Sequence, residues 1–122
     1  MKLLNTNTIE IKKSKFVAYL YDIDEISEIK EVLENIKYEH KKAKHIVYAY
    51  KFGSTAGKSD DKEPSGTAGT PLYNLLEMNN INNKLLIVVR YFGGVKLGAG
   101  PLLRAYKNAG VSVLGSSKSS GE

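Results

Sequence analysis

The sequence predicts an α+β domain. Three observations predict it: short runs rich in aromatic and β-branched residues, amphipathic helical periodicities set between them, and two long Gly-rich stretches that join elements of both kinds. With 122 residues the chain is the size of one ordinary domain and long enough to bury a core without staples. Residues 1–115 are read as that domain, and 116–122, Ser-Ser-Lys-Ser-Ser-Gly-Glu, as a disordered tail.

Each element follows from its own signal. Residues 15–21, Lys-Phe-Val-Ala-Tyr-Leu-Tyr, read as a strand. Asp22 with Glu25 forms a capping-box pattern, and Ile26, Ile29, Leu33 and Ile36 then recur at helical spacing, which predicts a helix over 24–39. A basic turn, His40 to Lys44, ends it. In 45–52, Ile46, Tyr48, Tyr50 and Phe52 alternate with Val47, Ala49 and Lys51, as in a strand with one dominant buried face. Gly53 to Gly69 holds almost nothing apolar and is read as a loop, a length that in a compact domain points to function or disorder. Thr70-Pro71 opens a short helix carrying Leu72, Leu75 and Leu76, which ends in the Asn-rich turn at 79–83. Leu85 to Val89 is apolar at every position, which predicts a central strand covered on both faces, within 84–92. Gly93 to Gly100 is a second Gly-rich loop. Pro101 opens a last helix with Leu102, Ala105, Tyr106, Ala109 and Val113 on one face.

Composition narrows the function classes. There is no cysteine, so disulfides and thiolate metal sites are excluded. Met1 to Lys13 has no continuous apolar stretch, and no run approaches the ~20 residues that span a bilayer, so neither a signal peptide nor a membrane association is expected and the location is read as cytoplasmic. The net charge is +5 with a pI near 9.3, which suits nucleic-acid or ribosome association as well as a Lys-rich solvated surface. Sixteen of the eighteen basic residues are Lys; Arg90 and Arg104 are the exceptions, and both sit in the second Gly-rich region, where a planar fork of donors has a use that an ammonium cannot serve.

The first loop reads Ser59-Asp60-Asp61-Lys62-Glu63-Pro64-Ser65-Gly66-Thr67-Ala68-Gly69-Thr70-Pro71. The second reads Arg90-Tyr91-Phe92-Gly93-Gly94-Val95-Lys96-Leu97-Gly98-Ala99-Gly100-Pro101, followed by Arg104-Ala105-Tyr106. Together with Ala43-Lys44-His45 and Tyr48-Ala49-Tyr50 they resemble the signature of the IMPACT/YigZ family over roughly residues 13–114. The chain departs from that pattern at Lys62 and Pro101, where the family commonly has Gly. The resemblance implies a two-layer α+β sandwich like domain two of a small-subunit ribosomal protein and domain IV of elongation factor G, with a mixed or antiparallel sheet and helices on one face. It also implies a non-enzymatic role in translation regulation and the starvation stress response, through RNA, ribosome or protein binding, and brings no cofactor. Oligomeric state stays open.

The residues themselves suggest an anion site. Gly93, Gly94, Gly98 and Gly100 let a ligand approach backbone amides at a helix start, with Arg90, Lys96 and Arg104 adding charge and Ser65, Gly66 and Thr67 of the first loop facing them. The competing reading makes the glycines turn-formers and pairs the arginines with Asp60, Asp61 or Glu63. Those three carboxylates can ligate a hard cation, but lack the alternating spacing of a calcium loop and have Lys62 among them, so no metal is expected. Gly53 to Ser59 is one residue short of a phosphate-binding P-loop and is not followed by a helix pattern. No catalytic residue is assigned: His40, His45 and Ser65 lack an adjacent partner in sequence. Tyr19, Tyr21, Tyr48, Tyr50 and Tyr91 are read as core tyrosines with rim hydroxyls, or as stacking residues if they share one open sheet face. Two alternatives stay open: a small enzyme on a phosphorylated or nucleotide substrate, with Asp60, Asp61 and Glu63 holding metal, and a pure protein-interaction domain.

Overall fold

The computed structural model describes the backbone of residues 1–119 and the side chains of residues 1–114. Its elements are β1 (Lys2–Ile11), β2 (Ser14–Asp22), α1 (Glu28–Glu39), β3 (His45–Phe52), β4 (Thr55–Ser59), α2 (Gly69–Met78), β5 (Lys84–Tyr91) and α3 (Ala99–Ser119). The strands form one antiparallel sheet in the order β1-β2-β5-β3-β4.

Strand β5 is central, and residues 85–90 are buried at every position. A strand apolar at both parities must be covered on both faces. On one face Leu86 and Val88 join Phe16, Val47 and Ala49 beneath the leucines of α2 and the Leu102, Tyr106 and Ala109 stripe of α3. On the other, Leu85, Ile87 and Val89 meet Ile29, Val32 and Ile36 of α1. The expectation of helices on one face is therefore corrected: α1 lies on the side opposite α2 and α3.

Two strands escaped the sequence reading. β1 is an edge strand, mostly exposed, so its alternation is faint; Ile9 and Ile11 alone among its apolar residues lean on the α2–α3 core. β4 occupies part of the stretch read as loop. Phe52 pairs with Thr55 across Gly53 and Ser54, and Gly53 has φ +61°, as the first position of a two-residue hairpin turn requires. The P-loop-like segment is this hairpin. Helix α1 starts later than expected. Its N-cap is Ser27 without a side-chain cap bond, and the Asp22–Glu25 box is replaced by Glu28, whose Oε1 accepts from Asp24 N at 2.9 Å. Helix α3 begins at Ala99, two residues before Pro101, and continues to Ser119, four residues into the stretch read as a disordered tail; 120–122 lie outside the described residues.

Candidate functional site

Sheet register builds the site. Arg90 is paired with Phe16 on one side and His45 on the other, so these three side chains stand in one row on the α2–α3 face. Above that row the 60–68 loop and the first turns of α3 converge. Glu63 comes down from the loop and Tyr106 inward from the helix; both are buried, and Arg90 is 5% exposed.

A buried guanidinium is costly unless paired and hydrogen-bonded. Arg90 Nη1 donates to Glu63 Oε2 at 2.8 Å, and Nη2 to the buried Ser14 Oγ at 3.3 Å. Tyr106 donates its hydroxyl to the same Glu63 oxygen at 2.5 Å. Burial, then the adjacent Glu63, pushes the Tyr106 phenol far above its ordinary range, so it remains a donor. Glu63 Oε1 faces His45 Nε2 at 3.5 Å, and the other ring nitrogen of His45, Nδ1, donates to the Asp61 carbonyl at 2.6 Å. The Arg90 guanidinium also lies 5.6 Å from the centroid of Phe16 and 5.9 Å from that of Phe92. Its Nε is buried with no hydrogen-bond partner among the described residues.

The other loop carboxylates have separate work. Asp60 accepts from Gly66 N, Ala68 N and Gly69 N at 3.0, 3.2 and 2.7 Å. It thereby caps α2, whose N-cap position is Ala68 and supplies no side-chain bond. Burial raises the Asp60 pKa, but those three amides and the charge of Lys58 outweigh it and hold the carboxyl below its usual value. Asp61, at φ +44°, accepts from Ile46 N at 2.6 Å through Oδ2 and ties the loop to β3.

The structure therefore brings the two loops together. A cavity of about 350 Å³ lies between them, lined by Lys44, His45, Glu63, Pro64, Arg90, Phe92, Lys96, Leu97 and Leu102. Of the residues read as anion-binding, Arg90 forms its floor and Lys96 its rim. Arg104 is exposed on α3, outside the lining, and takes no ion pair among the described residues. Ser65 is exposed; Thr67 is buried, its hydroxyl donating to the Pro64 carbonyl at 2.6 Å. Gly66 and Gly94 have φ of +79° and +89°, a left-handed backbone that glycine adopts without strain. Gly93 lies against the β1–β2 turn so closely that a Cβ would run into the Lys13 carbonyl. Gly98 and Gly100 stand at the start of α3, where the Gly98 carbonyl accepts from Leu102 N at 2.9 Å. The competing sequence reading thus describes the Arg90–Glu63 pair and the turn glycines Gly66 and Gly94, while Lys96 at the rim takes no ion pair among the described residues.

Tyr106, His45, Ser14 and Lys44 were not singled out as site residues. The available signals were a tyrosine on the buried stripe of a helix and the strand-opening Lys44-His45. The five sheet tyrosines do share one face, that of α1, where they are half-buried; Tyr19 and Tyr91 clasp His40 at 2.7 and 2.5 Å.

The fold and the two meeting loops define an Impact N-terminal domain: the family model of that description matches residues 12–114, and the chain belongs to this family. It is 39% identical over 109 residues to the IMPACT family member YvyE of Bacillus subtilis, covering 87% of this chain and 50% of that protein. To YigZ of Escherichia coli it is 39% identical over 102 residues, covering 80% and 50%. To Protein IMPACT of Rattus norvegicus it is 35% identical over 94 residues, covering 71% and 29%. The chain thus spans about half the length of the bacterial relatives. The crystal structure of a hypothetical protein superimposes with a TM-score of 0.87 at 36% identity, over 93% of this chain and 57% of that one. The two-domain translational regulator Yih1 shares the fold, with a TM-score of 0.54 at 19% identity over 91% and 45%. Among the described residues no helix is long and apolar enough to cross a membrane.

Proposed function

We propose that this domain is a non-enzymatic, cytoplasmic module of translation control, which binds the phosphates of RNA through the cavity shared by its two loops. The observation that carries the reading is the composition of that cavity. Its floor is an Arg90–Glu63 pair already neutralised and held rigid, while Lys44 and Lys96 at the rim are exposed and have no carboxylate partner among the described residues. Free ammonium groups above a preorganised floor suit a phosphate, and phosphate contacts supply most non-specific affinity for nucleic acid. The fold shared with a protein described as a two-domain translational regulator, Yih1, supports the context.

A binding module is favoured over an enzyme because the loop carboxylates are committed. Asp60 holds three amides, Asp61 holds Ile46 N, and Glu63 holds Arg90 and Tyr106. Freeing any of them for metal or proton transfer dismantles the loop. The test is binding of labelled RNA, and co-sedimentation with ribosomal subunits, at several salt concentrations. Wild type should bind with affinity that falls steeply with salt. A Lys44→Ala, Lys96→Ala double variant should lose up to two phosphate contacts, lowering the slope of log K against log salt by about 1.5. Absence of RNA binding, or binding that the double variant leaves unchanged, refutes the reading.

A further inference from the structure

The cavity is too large and too mixed in character for an anion alone. About 350 Å³ lies at the low end of pockets that enclose small organic ligands, roughly 300–1,000 Å³. Its walls are apolar, formed by Pro64, Phe92, Leu97 and Leu102, and its cations stand at the rim. A ligand that satisfies both parts carries a flat apolar group next to a negative charge, which is the chemistry of one nucleotide. The floor adds the side chains of Arg90 and His45 to that lining.

Phe92 strengthens the point. It is 48% exposed and belongs to neither core cluster; its ring contacts are the Arg90 guanidinium and the Lys44 ammonium, each 5.9 Å from the centroid, which leaves much of the ring open. Tyr38, near the end of α1, is 73% exposed, with Lys41 Nζ 4.5 Å from its ring centroid. Phe92 lies at the end of the sheet where the β1–β2 turn, the end of β5 and the start of β3 come together, on the α2–α3 side, whereas Tyr38 belongs to α1 on the opposite side. Exposed Lys12, Lys13, Lys41, Lys42, Lys44 and Lys96 gather there as well. An exposed ring among lysines provides a stacking platform beside a phosphate track, and an unpaired base can reach it whereas a base stacked inside a duplex cannot.

We infer that the ligand is single-stranded RNA, one unpaired nucleotide of which enters the cavity against Phe92 while the strand crosses the lysines at that end of the sheet. This rests on the RNA reading above and adds strand selectivity and a stacking residue to it. The experiment is fluorescence anisotropy on the full chain, with a labelled single-stranded RNA of about 12 nucleotides and a blunt duplex of the same length. Wild type is compared with Phe92→Ala and with Lys41→Ala, Lys42→Ala, each checked by circular dichroism for an unchanged fold.

The single strand should bind at least about ten-fold more tightly than the duplex. Phe92→Ala should lose about ten-fold for the single strand with its salt slope intact, the mark of stacking rather than charge. The lysine double variant should instead lower that slope by about 1.4. Equal binding of duplex and single strand, or a neutral Phe92→Ala, overturns the inference and leaves the phosphate reading standing. Failure of wild type to bind either RNA at low salt overturns both.

Discussion

Replacing Glu63 by Ala removes the counter-charge of a guanidinium that is 5% exposed. Arg90 then keeps one side-chain hydrogen bond, the 3.3 Å contact to Ser14, and Tyr106 keeps none. Breaking a buried pair from one side costs about 3–5 kcal/mol, because the remaining charge stays in a low-dielectric site. An orphaned hydroxyl adds about 1–3 kcal/mol where no water reaches it. Against a total stability on the order of 5–15 kcal/mol the loss is severe, and Tm should fall by roughly 12–40 °C in a calorimetric or circular-dichroism melt. Glu63→Gln, which retains an acceptor, should cost less. The decisive arm is a double replacement, Glu63→Leu with Arg90→Met. With both charges gone the desolvation cost goes too, so this variant should be more stable than either single one. A loss below about 1 kcal/mol for Glu63→Ala, or a double variant as weak as the sum of its parts, would show that the pair does not have the buried, mutually dependent character described.

Asp60 and the glycines give further expectations. The Asp60 pKa is lowered in the folded chain, so as pH falls the unfolded chain takes up the proton first. The stabilisation is complete above the unfolded value of about 3.9 and is lost below it, as pH drops through the folded value. Urea unfolding from pH 7 to 2 should therefore show an acid decline in wild type that is shallower in Asp60→Asn, which starts from a lower stability. Gly93→Ala should cost about 1–3 kcal/mol or more, because its Cβ meets the Lys13 backbone, which cannot yield as a side-chain tip would. Gly98→Ala, whose nearest neighbour would be Pro101 Cδ at 3.8 Å, should be close to neutral in the same unfolding assay.

Local pattern revealed the elements whose burial is strongest. The two-sided apolar run of β5, the one-sided alternation of β3 and the leucines of α2 are each legible from a few neighbouring residues. β1 and β4 were not, because edge strands are mostly exposed and their polar and apolar positions barely alternate. The two-sided run of β5 already contradicted a sheet with helices on one face, and that local signal proved a better guide than the layer count implied by family resemblance. The late start of α1 had no such signal: Glu28 Oε1 accepts from Asp24 N at 2.9 Å and from Glu25 N at 3.4 Å, and the second of these is the amide that Asp22 was expected to hold.

Read along the chain, the residues alone establish that each of two Gly-rich stretches leads into a helix, that two arginines flank the second, and that three carboxylates lie in the first. Which carboxylate meets which cation depends on contacts between residues distant in the chain. Arg90 finds Glu63 27 residues upstream and Ser14 76 upstream, and Glu63 finds Tyr106 43 residues downstream. Such pairings are fixed by strand register and by where α3 crosses the sheet, which no short window of sequence contains. Register set Arg90 between Phe16 and His45, and burial then required a counter-charge. Glu63 meets that requirement, while Lys44 and Lys96 lie beyond its reach at the open rim of the cavity.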